Sequence, residues 1–212
     1  MDAVPRTAIS RLPESGVDDL DALHSLLDEA KVGHIGLVAD GFPVVIPTAI
    51  VRSGDTLLAH GSTGSRWMRA LADGADASVA VTLLDGIVLA RSAFESNLHY
   101  RSAVLFGRFV ALDGEAKSAG LDALIDGLVP GRSGEIRRSS KRELAATLVL
   151  ELPIDRWSLK VSSSWPTDTQ DDVAGDAWAG LIPARIGYGL PLTAPDVREG
   201  IPIPDSAIAL GP

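Results

Sequence analysis

The chain has 212 residues, 46% of them hydrophobic and 22% charged, with 19 Lys and Arg against 28 Asp and Glu for a net charge of −9. A chain of that length and apolarity buries a sizeable core, roughly 70% of its unfolded surface, and is not a disordered one. The acidic balance disfavours nonspecific binding to nucleic acid or an anionic membrane, and the lack of any cysteine removes disulfides, thiolate catalysis and cysteine-ligated metals.

Residues 1–16 read as an irregular arm without the apolar run of a secretory signal. No apolar run approaches the ~18–20 residues of a membrane helix, so the expected location is the cytoplasm. Leu20, Leu23, Leu27 and Ala30 recur at helical spacing and predict a helix from Asp18 to Ala30, with acidic residues at its start and Gly33 as its stop. Strands follow at His34–Val38 and Val44–Val51, joined by an Asp40-Gly41 turn. Pro47 inside the second marks an edge, a bulge or a kink facing a ligand. A strand at Thr56–His60, a small-residue loop and a short helix at Ser65–Ala72 come next. Strands at Ala77–Leu84 and Ile87–Arg91 flank a second turn at Asp85-Gly86. Another strand runs from Ala103 to Leu112, broken at Gly107. Leu121, Leu124, Ile125 and Leu128 mark a helix, residues 131–142 a basic loop read as a solvated face, and Ser140 with Glu143 a capping box. Thr147–Leu152 and Arg156–Val161 are the last strands.

From Pro166 the composition shifts: seven of the thirteen prolines lie in the final 47 residues. The expected organisation is therefore a domain over residues 1–165 and an extended tail over 166–212 that packs on the barrel or on a partner chain. Helices interspersed with short antiparallel strands give an α+β class built on a small antiparallel barrel.

Three segments carry candidate chemistry. His60-Gly61-Ser62-Thr63-Gly64-Ser65-Arg66 joins a strand to a helix start. Its small residues allow close approach of a ligand, and its hydroxyls, amides and forked Arg66 suit a phosphate, although a capped surface turn reads the same way. Ile46-Pro47-Thr48-Ala49 exposes backbone groups to a planar heterocycle, or is simply an edge strand. Asn97-Leu98-His99-Tyr100-Arg101-Ser102 is more polar and aromatic than a plain loop requires. No phosphate-binding P-loop, dinucleotide fingerprint or nucleophile elbow is present, and none of the four histidines forms an i, i+4 pair, so no metal site is expected.

Taken in order, these segments resemble the pyridoxamine 5′-phosphate oxidase-like family of FMN-binding split barrels, and within it the flavin-nucleotide-binding, nitroimidazole-resistance-related branch. The resemblance is carried by Gly41–Thr48, Leu58–Ser62 with Gly64-Ser65-Arg66, Thr82–Ser92, Asn97 with Tyr100-Arg101-Ser102 and Gly107, then Glu143–Thr147, Lys160 and Trp178-Ala179-Gly180. It implies an antiparallel split β-barrel with flanking helices and a homodimer with flavin at the subunit interface. Ser62, Ser65 and Arg66 would meet the FMN phosphate, and Pro47, Thr48 and Ala49 would line the isoalloxazine. Tyr100, Arg101 and Ser102 would approach from the partner, His60 would lie near the flavin, and Trp178 would close the pocket. The resemblance leaves catalytic residues unassigned. It implies a flavin-dependent oxidoreductase acting on a small molecule. The alternatives are a deazaflavin-dependent reductase on the same fold and a non-enzymatic protein that holds flavin, haem or another planar ligand. The flavin itself carries the redox chemistry, so no acid–base dyad is needed.

Overall fold

The computed structural model describes residues 7, 9 and 13–211. Most of the expected N-terminal arm lies outside the described residues; its end forms a 3-10 turn at Pro13–Ser15 and strand β1 (Gly16–Val17). Helix α1 (Leu20–Glu29) starts at Asp19, whose carboxylate accepts from the amides of Asp21 (2.9 Å) and Ala22 (3.2 Å), satisfying donors a helix start otherwise leaves orphaned. Gly33 does not stop this helix. It lies in β2 (Val32–Ala39), where a Cβ would come within 2.9 Å of Ile50.

β2 and β3 (Phe42–Ser53) form the expected hairpin, with Asp40 (φ 52°) and Gly41 (φ 78°) both left-handed at the turn. β3 runs unbroken through Pro47. β4 (Thr56–Ser62) pairs with β3 only over Ile50–Ser53, so residues 42–49 form an edge on that side, where proline is tolerated. Helix α2 (Arg66–Ala72) follows.

The turn expected at Asp85-Gly86 is absent. β5 (Asp76–Leu89) passes straight through as one strand, and a register shift between Leu84 and Gly86 leaves Asp85 as a bulge against β6 (Asn97–Arg108). Gly86 has no positive φ; it is there for close approach, since a Cβ would sit 2.6 Å from Leu181 and 2.9 Å from the Ile182 carbonyl. Asn97–Ser102 is likewise strand rather than loop. Gly107 does not break β6 but pairs with Ala77.

β7 (Val110–Ala111), α3 (Gly114–Leu128), a 3-10 turn at Arg132–Glu135 and α4 (Lys141–Ala146) precede β8 (Thr147–Pro153) and β9 (Trp157–Ser162). Both halves of the Ser140/Glu143 capping box are present. The tail carries α5 (Gln170–Val173), β10 (Gly180–Pro183) and α6 (Asp205–Leu210).

The sheet order is β1-β9-β6-β5-β2-β3-β4-β8-β7, all antiparallel, and it does not close. This is a split barrel of α+β class. β10 adds to β5 at Gly86–Leu89, along the edge that β2 leaves after pairing with Ala77–Ala80. The main core joins α1 (Leu23, Leu26, Leu27), α2 (Met68, Leu71) and the barrel interior (Ile35, Ile50, Leu57, Val79, Leu105, Leu150). A second, smaller core of Val51, Leu58, Leu124 and Val149 lies under α3. The start of the tail is tied by Asp168, whose 2%-exposed carboxylate accepts from the Arg91 amide (3.0 Å) and guanidinium (2.9 Å). Its end is tied by Ser206, which bonds Glu135.

Candidate functional site

The site is built where β3 and β4 part. Beyond Ile50–Ser53, β3 stays with β2 while β4 stays with β8, which opens the sheet between Pro47–Ala49 and His60–Ser62. Side chains alternate along a strand. Ile50 and Ala59 point into the main core, and Val51 and Leu58 point to the other side under α3. By that alternation Pro47, Ala49, His60 and Ser62 share the outer face, and Thr48 turns inward.

The loop after β4 is held tightly. Thr63 donates through its amide (3.0 Å) and hydroxyl (3.3 Å) to the Ala146 carbonyl, the Gly64 amide donates to Ser62 Oγ (3.1 Å), and the Ser65 amide donates to the Ser62 carbonyl (3.0 Å). Gly61 lets α2 close on β4, because a Cβ there would meet Met68 at 2.9 Å. Ser65 occupies the cap position of α2, yet its hydroxyl bonds no helix amide. Arg66 is 87% exposed and 3.9 Å from an equally exposed Asp40. Such a pair is worth little, so the guanidinium is available. With only seven residues in α2, the anion-attracting groups here are Arg66 and the hydroxyls more than a helix dipole.

The Tyr100-Arg101-Ser102 trio divides. Tyr100 and Ser102 lie on the outer face, where the Thr82 hydroxyl donates to Ser102 Oγ (3.1 Å). Arg101 lies on the opposite face, clamped by Asp85 (2.8 and 3.0 Å) and Glu29 (2.6 and 3.0 Å). The hydrogen bonds it donates, to Asp85 first and then to Glu29, raise its pKa and fix its charge. Trp178 sits against Gly180 at the start of β10, opposite the Leu89 end of β5, and is mostly exposed. The structure thus brings Pro47, Ala49, His60, Ser62, Ser65 and Arg66 to one opening and does not bring Arg101 there.

Two features were not read from the sequence. The first is a broad apolar face on β2 and β3, with Val32, Val38 and Val45 between 52% and 64% exposed. The second is a crevice beside His60, lined by α3 and by Ile136, Arg137 and Ser139. The isoleucine inside the basic stretch was the available signal. Arg137 there is paired with Glu143 (2.7 and 2.8 Å), and its hydrogen bonds, followed by those of Ser140, hold the Glu143 carboxyl well below the usual range.

Chemically, the opening offers an apolar shelf flanked by a polar loop with an exposed guanidinium, which suits a planar ring bearing a phosphate. Among the described residues no cluster of three or more His, Cys, Asp or Glu could hold a metal ion, and no helix is long and apolar enough to cross a membrane.

Comparison with known proteins agrees with this geometry. The pyridoxamine 5′-phosphate oxidase family model matches residues 19–161. The FAD and heme binding protein of Mycobacterium smegmatis is 50% identical, covers 93% of this chain and 97% of its own, and superposes with a TM-score of 0.90. A flavocytochrome of Azotobacter vinelandii is 35% identical over 98% of this chain and 97% of its own, also at 0.90. A putative 5-nitroimidazole antibiotic resistance protein of Bacteroides thetaiotaomicron shares the fold at 19% identity, covering 69% of this chain and 86% of its own with a TM-score of 0.58. No curated protein matches the chain.

Proposed function

The chain belongs to the pyridoxamine 5′-phosphate oxidase family, a flavin-binding split-barrel fold, and on that premise we propose that it is a redox flavoprotein that also carries haem and works as a homodimer. The observation that carries the reading is the near-full-length likeness, at 50% identity, to a FAD and heme binding protein. The family model ends at residue 161, whereas both the 50% and the 35% relatives cover more than nine-tenths of the chain. Their likeness therefore takes in most of the tail as well as the barrel.

In this reading Ser62, Ser65 and Arg66 bind the flavin phosphate, and Pro47 and Ala49 present the shelf for the ring, with Thr48 contributing backbone. The sequence pointed to FMN; the likeness favours FAD, and one phosphate site serves the FMN moiety of either. The apolar face of β2 and β3 is the surface a second copy would cover, since patches of that kind mark interaction sites. Tyr100 and Ser102 then approach the flavin from the partner, while Arg101 stays with Glu29 and Asp85 and serves the fold. When bound, the flavin supplies the electron chemistry, and the chain's residues position it and exclude water.

The test is the visible spectrum of protein purified from cells supplied with riboflavin and a haem precursor, with the released cofactors identified by mass. A flavin band and a haem band in fixed ratio to the chain are expected. A protein that holds no flavin overturns the reading. Arg66→Ala is expected to weaken flavin binding by about 1.5–3 kcal/mol, the scale of a lost hydrogen bond to a charged group; unchanged affinity would remove the phosphate role from Arg66.

A further inference from the structure

Residues 191–207 of the tail lie over the end of α3 and leave a cleft of about 690 Å³ between them. That is within the roughly 300–1,000 Å³ of a small-molecule pocket. Ile125 and Val129 of α3 form its floor, and Leu192, Val197, Ile201 and Ile203 of the tail its walls. Past Val129, Pro191 and Ala207 it continues into a groove of about 240 Å³ beside Tyr188 and Leu210. The two together make an elongated site.

The arch is held off α3 by its own backbone. Pro191, Pro202 and Pro204 each fix φ. Turn bonds run from the Val197 amide to the Ala194 carbonyl (3.1 Å) and from the Ile201 amide to the Arg198 carbonyl (3.3 Å). The Ser206 amide ties its end to Glu135 (3.1 Å). Val197, Ile201 and Ile203 therefore face the cleft instead of a core and stay 39–50% exposed. Apolar surface gathered in one place in this way marks a binding site.

The lining selects the chemistry of the ligand. None of the residues lining the cleft itself is aromatic, and none is a His, Met or Cys that could ligate an iron, so it offers a planar cofactor neither a ring to stack on nor an axial donor. Its charges are spent on each other. Arg132 donates to Glu135 (3.2 Å), which also accepts from the Ser206 amide and hydroxyl. Those bonds, the Ser206 ones first, hold the Glu135 carboxyl below its usual range. A charged head group gains nothing there without breaking that pair. Thr193 adds a hydroxyl that, among the described residues, makes no hydrogen bond. We infer that the cleft binds an uncharged lipophile, with an aliphatic chain lying on Ile125 and Val129 beneath the arch and a neutral hydroxyl or carbonyl end at Thr193. The site uses none of the residues assigned to the flavin and stands apart from that reading. Its occupant buries the exposed face of the arch and fastens the tail to α3.

The test is isothermal calorimetry of the full-length protein as purified, with 1-octanol, 1-decanol and decanoate, and with the site located by amide NMR shifts. Both alcohols are expected to bind saturably and to shift Val129 and residues over 191–207. Decanol is expected to bind about fifteenfold tighter than octanol, each buried methylene being worth about fourfold. Decanoate is expected to bind about tenfold more weakly than decanol or worse, since its charge must be buried without a free partner. Ala194→Trp, which fills the cleft from an exposed turn, is expected to abolish binding. Ile203→Asp, which puts a charge in it, is a second variant expected to do the same, and a far-UV spectrum like that of the wild type reports an intact fold. Decanol that does not saturate, that binds both variants as tightly as the wild type, or that shifts the Ser62–Arg66 loop in place of the tail overturns the site. Decanoate binding as tightly as decanol overturns the uncharged class. If Ala194→Trp converts a dimer to a monomer, the occupant is a second copy and the proposal falls.

Discussion

Replacing Gly127 by alanine should destabilise the protein, although helix propensity alone says the opposite. Gly127 lies near the end of α3, and an interior alanine is favoured over glycine by about 1 kcal/mol. A Cβ at this position, however, would meet Val51 Cγ1 at 2.1 Å, Cγ2 at 2.7 Å and Cβ at 3.0 Å. Ordinary carbon contacts start near about 3.5 Å, so about 1.4 Å has to be found. Val51 is 6% exposed and stiff at χ1, and its own Cβ is among the close atoms, so rotating the side chain does not help. The helix must lift off β3, which strains the Lys31 Nζ bond to the Gly127 carbonyl (2.8 Å). Overpacking at the upper end costs about 3 kcal/mol, and the propensity gain offsets about 1. The net is about 2 kcal/mol, or roughly 4–8 °C in Tm for a chain of this size. Thermal and urea unfolding of G127A beside G120A decides it. At Gly120 the nearest atoms are 3.0 and 3.1 Å away at side-chain ends, so that variant should stay within about 1 kcal/mol of wild type. A G127A protein with a Tm above wild type would refute the close α3–β3 contact on which the argument depends.

Gly86→Ala should detach β10 from β5 without unfolding the barrel, seen as faster proteolysis and amide exchange over 168–211; unchanged protection would contradict the tight crossing at Leu181. Asp168→Ala leaves Arg91 without its buried partner and should cost about 3 kcal/mol in urea unfolding. Exposed Asp171→Ala should stay within about 0.5 kcal/mol. Acidification should fray α4 late. Glu143 titrates below its unfolded value, so its contribution is complete above about pH 4.3 and is lost only as pH falls toward the depressed folded value. Amide exchange at Glu143 measured from pH 5 downward should therefore hold past pH 4, and loss of protection near pH 5 would contradict the Arg137 pairing.

Local chemistry made much of the fold legible. The leucine spacing of α1, the Asp40-Gly41 turn and the Ser140/Glu143 box each act within a few residues, and each is found. The failures have a common origin in contacts from far along the chain. Gly33, Gly86 and Gly107 looked like a stop, a turn and a break. They are glycine because Ile50, Leu181 and Leu152 press on them, and no local signal records a neighbour so distant in sequence. The site divides the same way. The Ser62–Arg66 loop and the Pro47 strand are contiguous and were visible as segments. That Arg101 faces away from Tyr100 and Ser102 follows from strand alternation once Asn97–Ser102 is known to be strand. The His60 crevice needed α3 and Ile136, which are 60 and more residues away.

The pairing of β10 with β5 also bears on how the chain is made. Synthesis runs from the N-terminus, so residues 86–89 emerge long before Gly180–Pro183. During that interval β5 has one bare edge beyond Ala80, rimmed by Ile87 and Leu89, of the kind that recruits strands from other molecules. The nascent protein is therefore most vulnerable to wrong pairing just before its tail arrives, and a ribosome paused ahead of residue 180 would lengthen that exposure.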